Sequence, residues 1–209
     1  MKNKRILILA PHTDDGELGA GGYAHQAIKK GAEVLYIAFS DCKQSLPKGL
    51  SEKALSIECQ KATRILGIEN VKIMDFSVRQ FPEKRQEILE RLIDIKKQFS
   101  PHEVLTPSRF DTHQDHLTIT NEAIRAFKMC TILGYELPWN CLELKTDYFI
   151  ELSSESINMK LKALNEYKSQ STKFYFQNGY LLNYAKFRGS LIGVKYAEAF
   201  EVIRKVERL

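Results

Sequence analysis

The side chains that bind metal ions and move protons are concentrated in two short stretches of this sequence. The first reads PHTDDGELGAGG over residues 11–22 and places His12, Asp14 and Asp15 within four positions. Imidazole and carboxylate groups are common zinc ligands, and a catalytic zinc ion takes three protein ligands and keeps one position open. This stretch therefore predicts part of a metal site that needs a third ligand from elsewhere.

The second stretch reads DTHQDH over residues 111–116. Either His113 or His116 would complete a set of two imidazoles and one carboxylate, which leaves the other histidine and the unused carboxylates for acid–base work. Asp115 is close enough in the sequence to accept a hydrogen bond from a neighbouring imidazole and to orient it. Only five histidines occur in the chain, and three of them lie in these two stretches.

Alternating apolar runs and helical patterns must position the two stretches. Strands are predicted at 5–10, 34–39, 71–74 and 103–106, and helices at 19–30, 51–66, 83–99 and 115–128. Because parallel strands need crossover connections, this alternation predicts a Rossmann-like α/β fold with a mostly parallel sheet and helices on both faces. Ligands bind beyond the carboxyl ends of such strands, and both stretches follow a predicted strand.

The last third of the chain has a less regular pattern. Additional C-terminal strands are predicted at 131–137 and 147–152, a helix at 155–167, loops at 178–193, and either a strand or a helix at 198–206. A length of 209 residues suits one core, so we expect a single domain over residues 1–209.

Two other interpretations of the first stretch need weighing. Asp14, Asp15 and a nearby glutamate would also stabilise the start of the following helix through its dipole. In addition, Gly19, Gly21 and Ala24 fit the G-x-G-x-x-A pattern of a dinucleotide site, with Asp41 about 20 residues later. A dinucleotide site places its first glycine directly after the strand, however, and acidic residues would repel the pyrophosphate.

Composition excludes several classes of protein. Lysine and arginine number 31 against 26 aspartates and glutamates, a net charge of +5 that is too small and too dispersed to predict nucleic-acid binding. No apolar run approaches the roughly 20 residues of a membrane span. The four cysteines form no C-x-x-C pair, so we expect free thiols and a cytoplasmic location.

The two stretches resemble the signatures of the LmbE-like deacetylases, also called the PIG-L family. That family's A-H-P-D-D signature, followed by a glycine-rich segment, is similar to residues 10–22, and its H-x-D-H signature is present at residues 113–116. Residues 160–170 resemble its K-x-x-A-L-x-x-H-x-S-Q segment, and residues 188–198 its R-G…G…Y-A-E ending. Two departures are visible: Thr13 replaces the usual proline, and Tyr167 stands where histidine is frequent.

The resemblance implies a zinc-dependent enzyme that removes the acetyl group from an N-acetylated amino sugar or sugar conjugate. It implies zinc binding by His12, Asp15 and His116. It also implies that Asp14 is the general base and that His113 is the acid or electrostatic partner, oriented by Asp115. Another metal-dependent hydrolase and a dinucleotide-binding protein are the alternatives.

The features of the substrate site are less defined by the sequence. Arg79, Arg109 and Arg188 are the expected substrate-binding residues, because they lie near the predicted catalytic edge or in the family-like ending. Fe²⁺ or another divalent ion suits the same ligands as Zn²⁺. The sugar, its carrier and the choice between a monomer and a homo-oligomer stay open.

Overall fold

A computed structural model of the chain describes residues 3–47, 49–177 and 179–207. The strands are β1 Arg5–Ala10, β2 Glu33–Ala38, β3 Asn70–Ile73, β4 Glu103–Pro107, β5 Thr131–Tyr135, β6 Tyr148–Glu151 and β7 Ala197–Arg204. The helices are α1 Asp15–Lys29, α2 Ala54–Ile65, α3 Arg85–Phe99, α4 Gln114–Ala126, α5 Ser154–Leu164 and α6 Tyr180–Ser190. Within these described ranges, no helix is both long enough and apolar enough to cross a membrane.

The strands form one sheet of seven in the order β3-β2-β1-β4-β5-β7-β6. The five strands from β3 to β5 run parallel, and β7 pairs antiparallel with both β5 and β6. The sequence prediction of a mostly parallel α/β sheet with additional C-terminal strands is therefore confirmed. The order reverses at β1, where β1 lies between β2 and β4, and this is the position at which open sheets form ligand crevices.

Both faces of the sheet are covered, which explains the uninterrupted apolar run of β1. Ile6 and Ile8 pack into the cluster beneath α1, α2 and α5, whereas Leu7 and Leu9 pack into the cluster beneath α3 and α4. Successive side chains of a strand point to opposite faces, so a strand buried on both sides needs apolar residues at every position. Each such side chain contributes about 1.5–3 kcal/mol relative to an exposed one.

Helix α1 begins at Asp15, four residues before the predicted start at Gly19. Gly16 and Gly19 are positions where the helix approaches the sheet closely. A Cβ atom at Gly16 would lie 2.5 Å from the Tyr36 ring, and one at Gly19 would lie 2.2 Å from the Tyr135 ring. The early start places Asp15 inside the first helical turn.

The prediction of loops over residues 178–193 is wrong for most of that range, because α6 occupies Tyr180–Ser190; residue 178 itself lies outside the described residues. The helical spacing was hidden by an arginine at a buried position. Leu181 is partly buried, and Ala185 and Arg188 are buried. Of these three residues only Arg188 carries a charge, and the Glu136 carboxylate balances that charge. The undecided segment at 198–206 is the strand β7.

Candidate metal and active site

The two acidic loops meet because β1 and β4 are neighbours in the sheet. Ile6 pairs with Glu103 and Ile8 with Leu105, so both strands end at the same edge. The loop after β1 carries the first histidine, and α4 begins directly after the loop that follows β4. The parallel pairing therefore joins two stretches that are about 100 positions apart in the sequence.

Three ligand atoms form a nearly equilateral triangle at this meeting point. His12 Nδ1 lies 3.1 Å from Asp15 Oδ2 and 3.1 Å from His116 Nε2, and Asp15 Oδ2 lies 3.2 Å from His116 Nε2. Zinc bonds of about 2.0–2.1 Å at tetrahedral angles place neighbouring ligand atoms about 3.3 Å apart. The three atoms thus fit three corners of a tetrahedral metal site.

The electrostatics of this triangle favour a bound positive charge. Burial alone would raise the pKa of Asp15, but the His116 and His12 imidazoles outweigh burial and hold that pKa well below its usual range. Burial would lower the pKa of His116, yet Asp15 and Asp111 raise it to about 10. Two buried carboxylates therefore stabilise a cation at this position, and a divalent metal ion could take the place of the proton.

Each of the two imidazoles in the triangle has a second carboxylate behind it. His12 Nε2 lies 3.1 Å from Asp115 Oδ2, and His116 Nδ1 lies 2.8 Å from Asp111 Oδ2. An N–H donated to these oxygens leaves the opposite ring nitrogen as a lone pair that faces the triangle, which is the arrangement found behind metal-bound histidines. The role of Asp111 was missed by the sequence reasoning, although its place in DTHQDH could have indicated it.

The expectation that Asp115 orients His113 needs correction. The Asp115 carboxylate contacts His12, and it also accepts hydrogen bonds from the backbone N–H groups of Arg79 at 2.6 Å and Phe81 at 3.3 Å. The link to His113 runs through the backbone instead, because the Asp115 N–H donates to His113 Nδ1 at 3.2 Å. Sequence adjacency suggested that the Asp115 carboxylate orients His113, but the turn at the start of α4 directs this carboxylate to His12.

His113 belongs to a second group of residues that could hold a metal, formed by His12, His113 and His116, whose ligand atoms lie within 4.8 Å of one another. Its ring stacks on His116 at a centroid distance of 4.6 Å. Burial, together with His116 and His12, lowers the pKa of His113. With Nδ1 accepting a backbone hydrogen bond, the neutral ring carries its proton on Nε2. A neutral His113 ring differs from the charged imidazole that an acid partner would have.

Asp14 lies beside the triangle and differs from Asp15 in its electrostatics. Burial and the neighbouring Asp15 raise the pKa of Asp14, while Lys173 and His12 act in the opposite direction. Its carboxylate is buried, with 8% of the residue exposed. Two adjacent carboxyl groups whose environments move their pKa values apart are typical of sites in which one binds a cation and the other accepts a proton.

These residues line a cavity of about 250 Å³ that also includes Arg79, Trp139, Lys173 and Tyr175. Arg79 has a backbone φ of +66°, a conformation that non-glycine residues rarely adopt. Its N–H donates to Asp115 and its carbonyl oxygen accepts from Gln114, so the strained loop is held against α4. The structure therefore brings Arg79 to the cavity.

The two other predicted substrate-binding arginines lie elsewhere and are paired with glutamates. Arg109 Nε donates to Glu201 at 2.6 Å, and Arg188 is buried in an ion pair with Glu136. Neither arginine lines the cavity. Both side chains bind buried glutamates, Glu201 in β7 and Glu136 directly after β5, because a carboxylate buried at 1% or 6% exposure needs a permanent partner.

Comparison with known proteins identifies the family of this chain. The family model described as PIG-L, GlcNAc-PI de-N-acetylase, matches residues 7–128, which contain both loops. The chain belongs to the PIG-L family. Diacetylchitobiose deacetylase from Thermococcus kodakarensis is 23% identical over 224 aligned residues, which cover 96% of this chain and 83% of the relative.

Solved structures with the same fold include enzymes of different names. N,N'-diacetylchitobiose deacetylase from Pyrococcus horikoshii has a TM-score of 0.81 at 22% identity, with 96% of this chain and 84% of that chain covered. The 4-carboxy-2-hydroxymuconate hydratase from Pseudomonas putida has a TM-score of 0.82 at 21% identity, with 99% of each chain covered. At this level of identity the structures establish the fold that this PIG-L chain shares with them.

The two departures from the PIG-L signatures contact each other beneath the first loop. The Tyr167 hydroxyl lies 2.5 Å from the Thr13 carbonyl oxygen and 2.6 Å from Glu17 Oε1, and the Tyr36 hydroxyl lies near the same two groups. Burial raises the pKa of Glu17 to about 8. The Tyr167 hydroxyl thus supports the backbone carbonyl of Thr13, which lies between His12 and the predicted base, Asp14. Among the described residues, only Thr13 Oγ1 is a buried side-chain polar atom without a hydrogen-bond partner.

Proposed function

We propose that this chain is a metal-dependent hydrolase that removes the acetyl group from an N-acetylated amino sugar or sugar conjugate and releases acetate and a free amine. The observation that carries the proposal is the triangle of two imidazole nitrogens and one carboxylate oxygen beside a second, differently tuned carboxylate, in a chain of the PIG-L family. Membership in a family described by de-N-acetylation supports the amide as the bond that is cleaved.

In this proposal His12, Asp15 and His116 hold the metal ion. The His/Asp/His triangle is preferred to the three-histidine group because Nδ1 of His113 already accepts a backbone hydrogen bond and because Asp15 supplies the negative charge that a divalent ion requires. When bound, Zn²⁺ or Fe²⁺ would lower the pKa of a water molecule and polarise a carbonyl group. Zinc is the first choice, since a tetrahedral set of nitrogen and oxygen ligands suits it.

Asp14 is the proposed general base. Its raised pKa keeps the carboxylate basic enough to accept a proton from the attacking water while the water oxygen forms a bond to the acetyl carbon. The same proton then passes to the sugar nitrogen as the carbon–nitrogen bond breaks, so that a neutral amine leaves. This transfer regenerates the Asp14 carboxylate, and the acetic acid that forms becomes acetate by losing its remaining proton to solvent.

His113 is the proposed donor to the acetyl carbonyl oxygen. Its Nδ1 is fixed by the Asp115 N–H, so Nε2 carries the proton that the developing negative charge on the carbonyl oxygen needs. A neutral imidazole serves this purpose, because the donated hydrogen bond itself strengthens as charge develops. Asp115 contributes by orienting His12, and Arg79 is the arginine that we propose binds substrate at the cavity mouth.

The proposed location is the cytoplasm. All four cysteines lie in the described residues and none forms a disulfide, which is typical of proteins from reducing compartments.

An amine-release assay tests the proposal. The metal-loaded protein is incubated with a panel of N-acetylated sugars and sugar conjugates, with and without a chelator, and free primary amine is measured. We expect chelator-sensitive release from at least one member, together with about one metal ion per chain. Absence of release from the whole panel would contradict the deacetylase assignment, and water addition to an unsaturated acid would favour the hydratase chemistry of the Pseudomonas putida relative.

Replacing Asp14 with asparagine tests the assignment of the base. We expect the Asp14→Asn variant to keep its metal ion and to lose about 10²- to 10⁴-fold in kcat, because proton transfer by a positioned base contributes that much. Metal content measured on the same samples separates the roles of the two carboxylates. Loss of the metal ion from this variant would show that Asp14 is a ligand instead.

A further inference from the structure

Tyr175 forms one wall of the cavity together with the chain's only tryptophan. The rings of Tyr175 and Trp139 are stacked at a centroid distance of 3.9 Å and an interplanar angle of 2°. Lys173 Nζ lies 5.6 Å from the centroid of the Tyr175 ring, and Phe176 packs at 5.3 Å. These contacts fix the ring, so the position of its hydroxyl is set before any ligand arrives.

The Tyr175 hydroxyl has no hydrogen-bond partner among residues 3–47, 49–177 and 179–207. The fully buried tyrosines behave differently, since the hydroxyls of Tyr36, Tyr135 and Tyr167 each donate to an oxygen of the protein. A tyrosine that is held rigidly in a cavity wall with a free O–H is a group that can bind a ligand.

Tyr175 lines the same cavity as the proposed base, Asp14, and as His113. Burial raises the pKa of Tyr175, and the carboxylates of Asp14 and Asp15 raise it further, so the hydroxyl keeps its proton and acts as a donor.

We propose that the Tyr175 hydroxyl donates a hydrogen bond to a hydroxyl group of the sugar next to its N-acetyl group. This inference rests on the proposed function, in which the acetyl carbonyl oxygen lies at the His113 side. The sugar ring must then occupy the remaining part of the cavity, and Tyr175 supplies a rigidly held O–H donor in the wall of that cavity. The contact makes Tyr175 a determinant of specificity for hydroxylated N-acetyl compounds.

Binding to the metal-loaded protein tests this contact without requiring turnover. Trp139 is the only tryptophan and stacks on Tyr175, so selective excitation of tryptophan reports ligands that enter this part of the cavity. Two probes are compared: N-acetylglucosamine, which carries the sugar and the acetyl group, and acetate, which carries only the acetyl part. Tyr175→Phe removes one oxygen atom that makes no hydrogen bond within the described residues, so the variant should fold normally.

Tyr180→Phe is the matched control. Tyr180 belongs to the same aromatic group, with its ring 6.0 Å from that of Trp139, and it does not line the cavity. We expect Tyr175→Phe to weaken N-acetylglucosamine binding about 2- to 12-fold, the effect of one neutral hydrogen bond, and to leave acetate binding unchanged. In the amine-release assay KM of the Tyr175→Phe variant should rise by the same factor, with kcat nearly constant.

Four results would overturn the inference: unchanged sugar binding by Tyr175→Phe, an equal loss for acetate, an equal loss in Tyr180→Phe, or a loss confined to kcat. Failure of the wild-type protein to bind N-acetylglucosamine would overturn it as well. Sugar binding that depends on Tyr175 without any amine release would contradict the proposed function and still support the contact. The two proposals can therefore fail separately.

Discussion

Replacing Asp115 with asparagine should weaken metal binding, although Asp115 is not a proposed ligand. Its carboxylate accepts three hydrogen bonds, from His12 Nε2 at 3.1 Å, from the Arg79 N–H at 2.6 Å and from the Phe81 N–H at 3.3 Å. An amide has a single acceptor oxygen, so its NH₂ group must face one of these three donors. The variant loses at least one of the three hydrogen bonds, and it loses the negative charge that makes the His12 imidazole a better ligand.

Loss of a partner behind a metal ligand typically reduces metal affinity 10- to 100-fold, which corresponds to about 1.4–2.7 kcal/mol. The assay is a zinc titration in competition with a coloured chelator, performed on protein shown to be folded by circular dichroism. Asp94→Asn is the matched control, because Asp94 lies on α3, has a largely exposed side chain and pairs with Lys97 on the same helix. We expect its zinc affinity to equal that of the wild type.

The same experiment separates two roles for Asp115. If the carboxylate orients the first histidine, zinc affinity falls and kcat changes as a consequence. If it orients His113 instead, as sequence adjacency suggests, zinc affinity stays at the wild-type value and only kcat falls. An unchanged dissociation constant for zinc in Asp115→Asn would therefore refute the assignment made from the distances.

Three further predictions concern the surroundings of the site. Asp111→Asn should also weaken zinc binding about 10- to 100-fold, because Asp111 supports the second imidazole of the triangle. Burial raises the pKa of Glu17 to about 8 in the folded protein, from the usual glutamate pKa of about 4.5. Stability relative to Glu17→Gln should therefore be highest below pH 4.5 and fall as pH rises to about 8, in thermal melts of both proteins. Gly19→Ala should destabilise the fold by about 1–3 kcal/mol in urea denaturation, because its Cβ would lie 2.2 Å from the Tyr135 ring.

Each of these predictions has a result that counts against it. Wild-type zinc affinity in Asp111→Asn would mean that the carboxylate does not support the ligand. A stability difference between the wild type and Glu17→Gln that is constant from pH 4.5 to 8 would show that Glu17 is already ionised when folded. Gly21→Ala is the control for Gly19→Ala, since its Cβ would meet neighbours at an ordinary 3.4 Å; equal losses in both variants would refute the packing argument.

Much of the fold follows from local patterns in the sequence. Apolar runs such as 5–10 and 103–106 predict buried strands, and helical spacing between them requires crossover connections and hence a parallel sheet. Local patterns failed at the start of α1, which begins at Asp15 instead of Gly19, and at α6, which was predicted as loops. In both cases tertiary packing decided the outcome, by the close approach of Gly16 to the sheet and by a buried partner, Glu136, for Arg188.

For the site, the sequence alone determined which side chains are available and that two loops must share one edge of the sheet. Residue types and strand order were enough for that, because chain connectivity dictates where parallel strands end. Only the tertiary structure decided which atoms face each other: it directs the Asp115 carboxylate to His12, gives His116 its own carboxylate in Asp111, and separates Arg79 from the two paired arginines. These pairings depend on side-chain directions and on contacts between residues up to about 100 positions apart, which spacing along the chain does not encode.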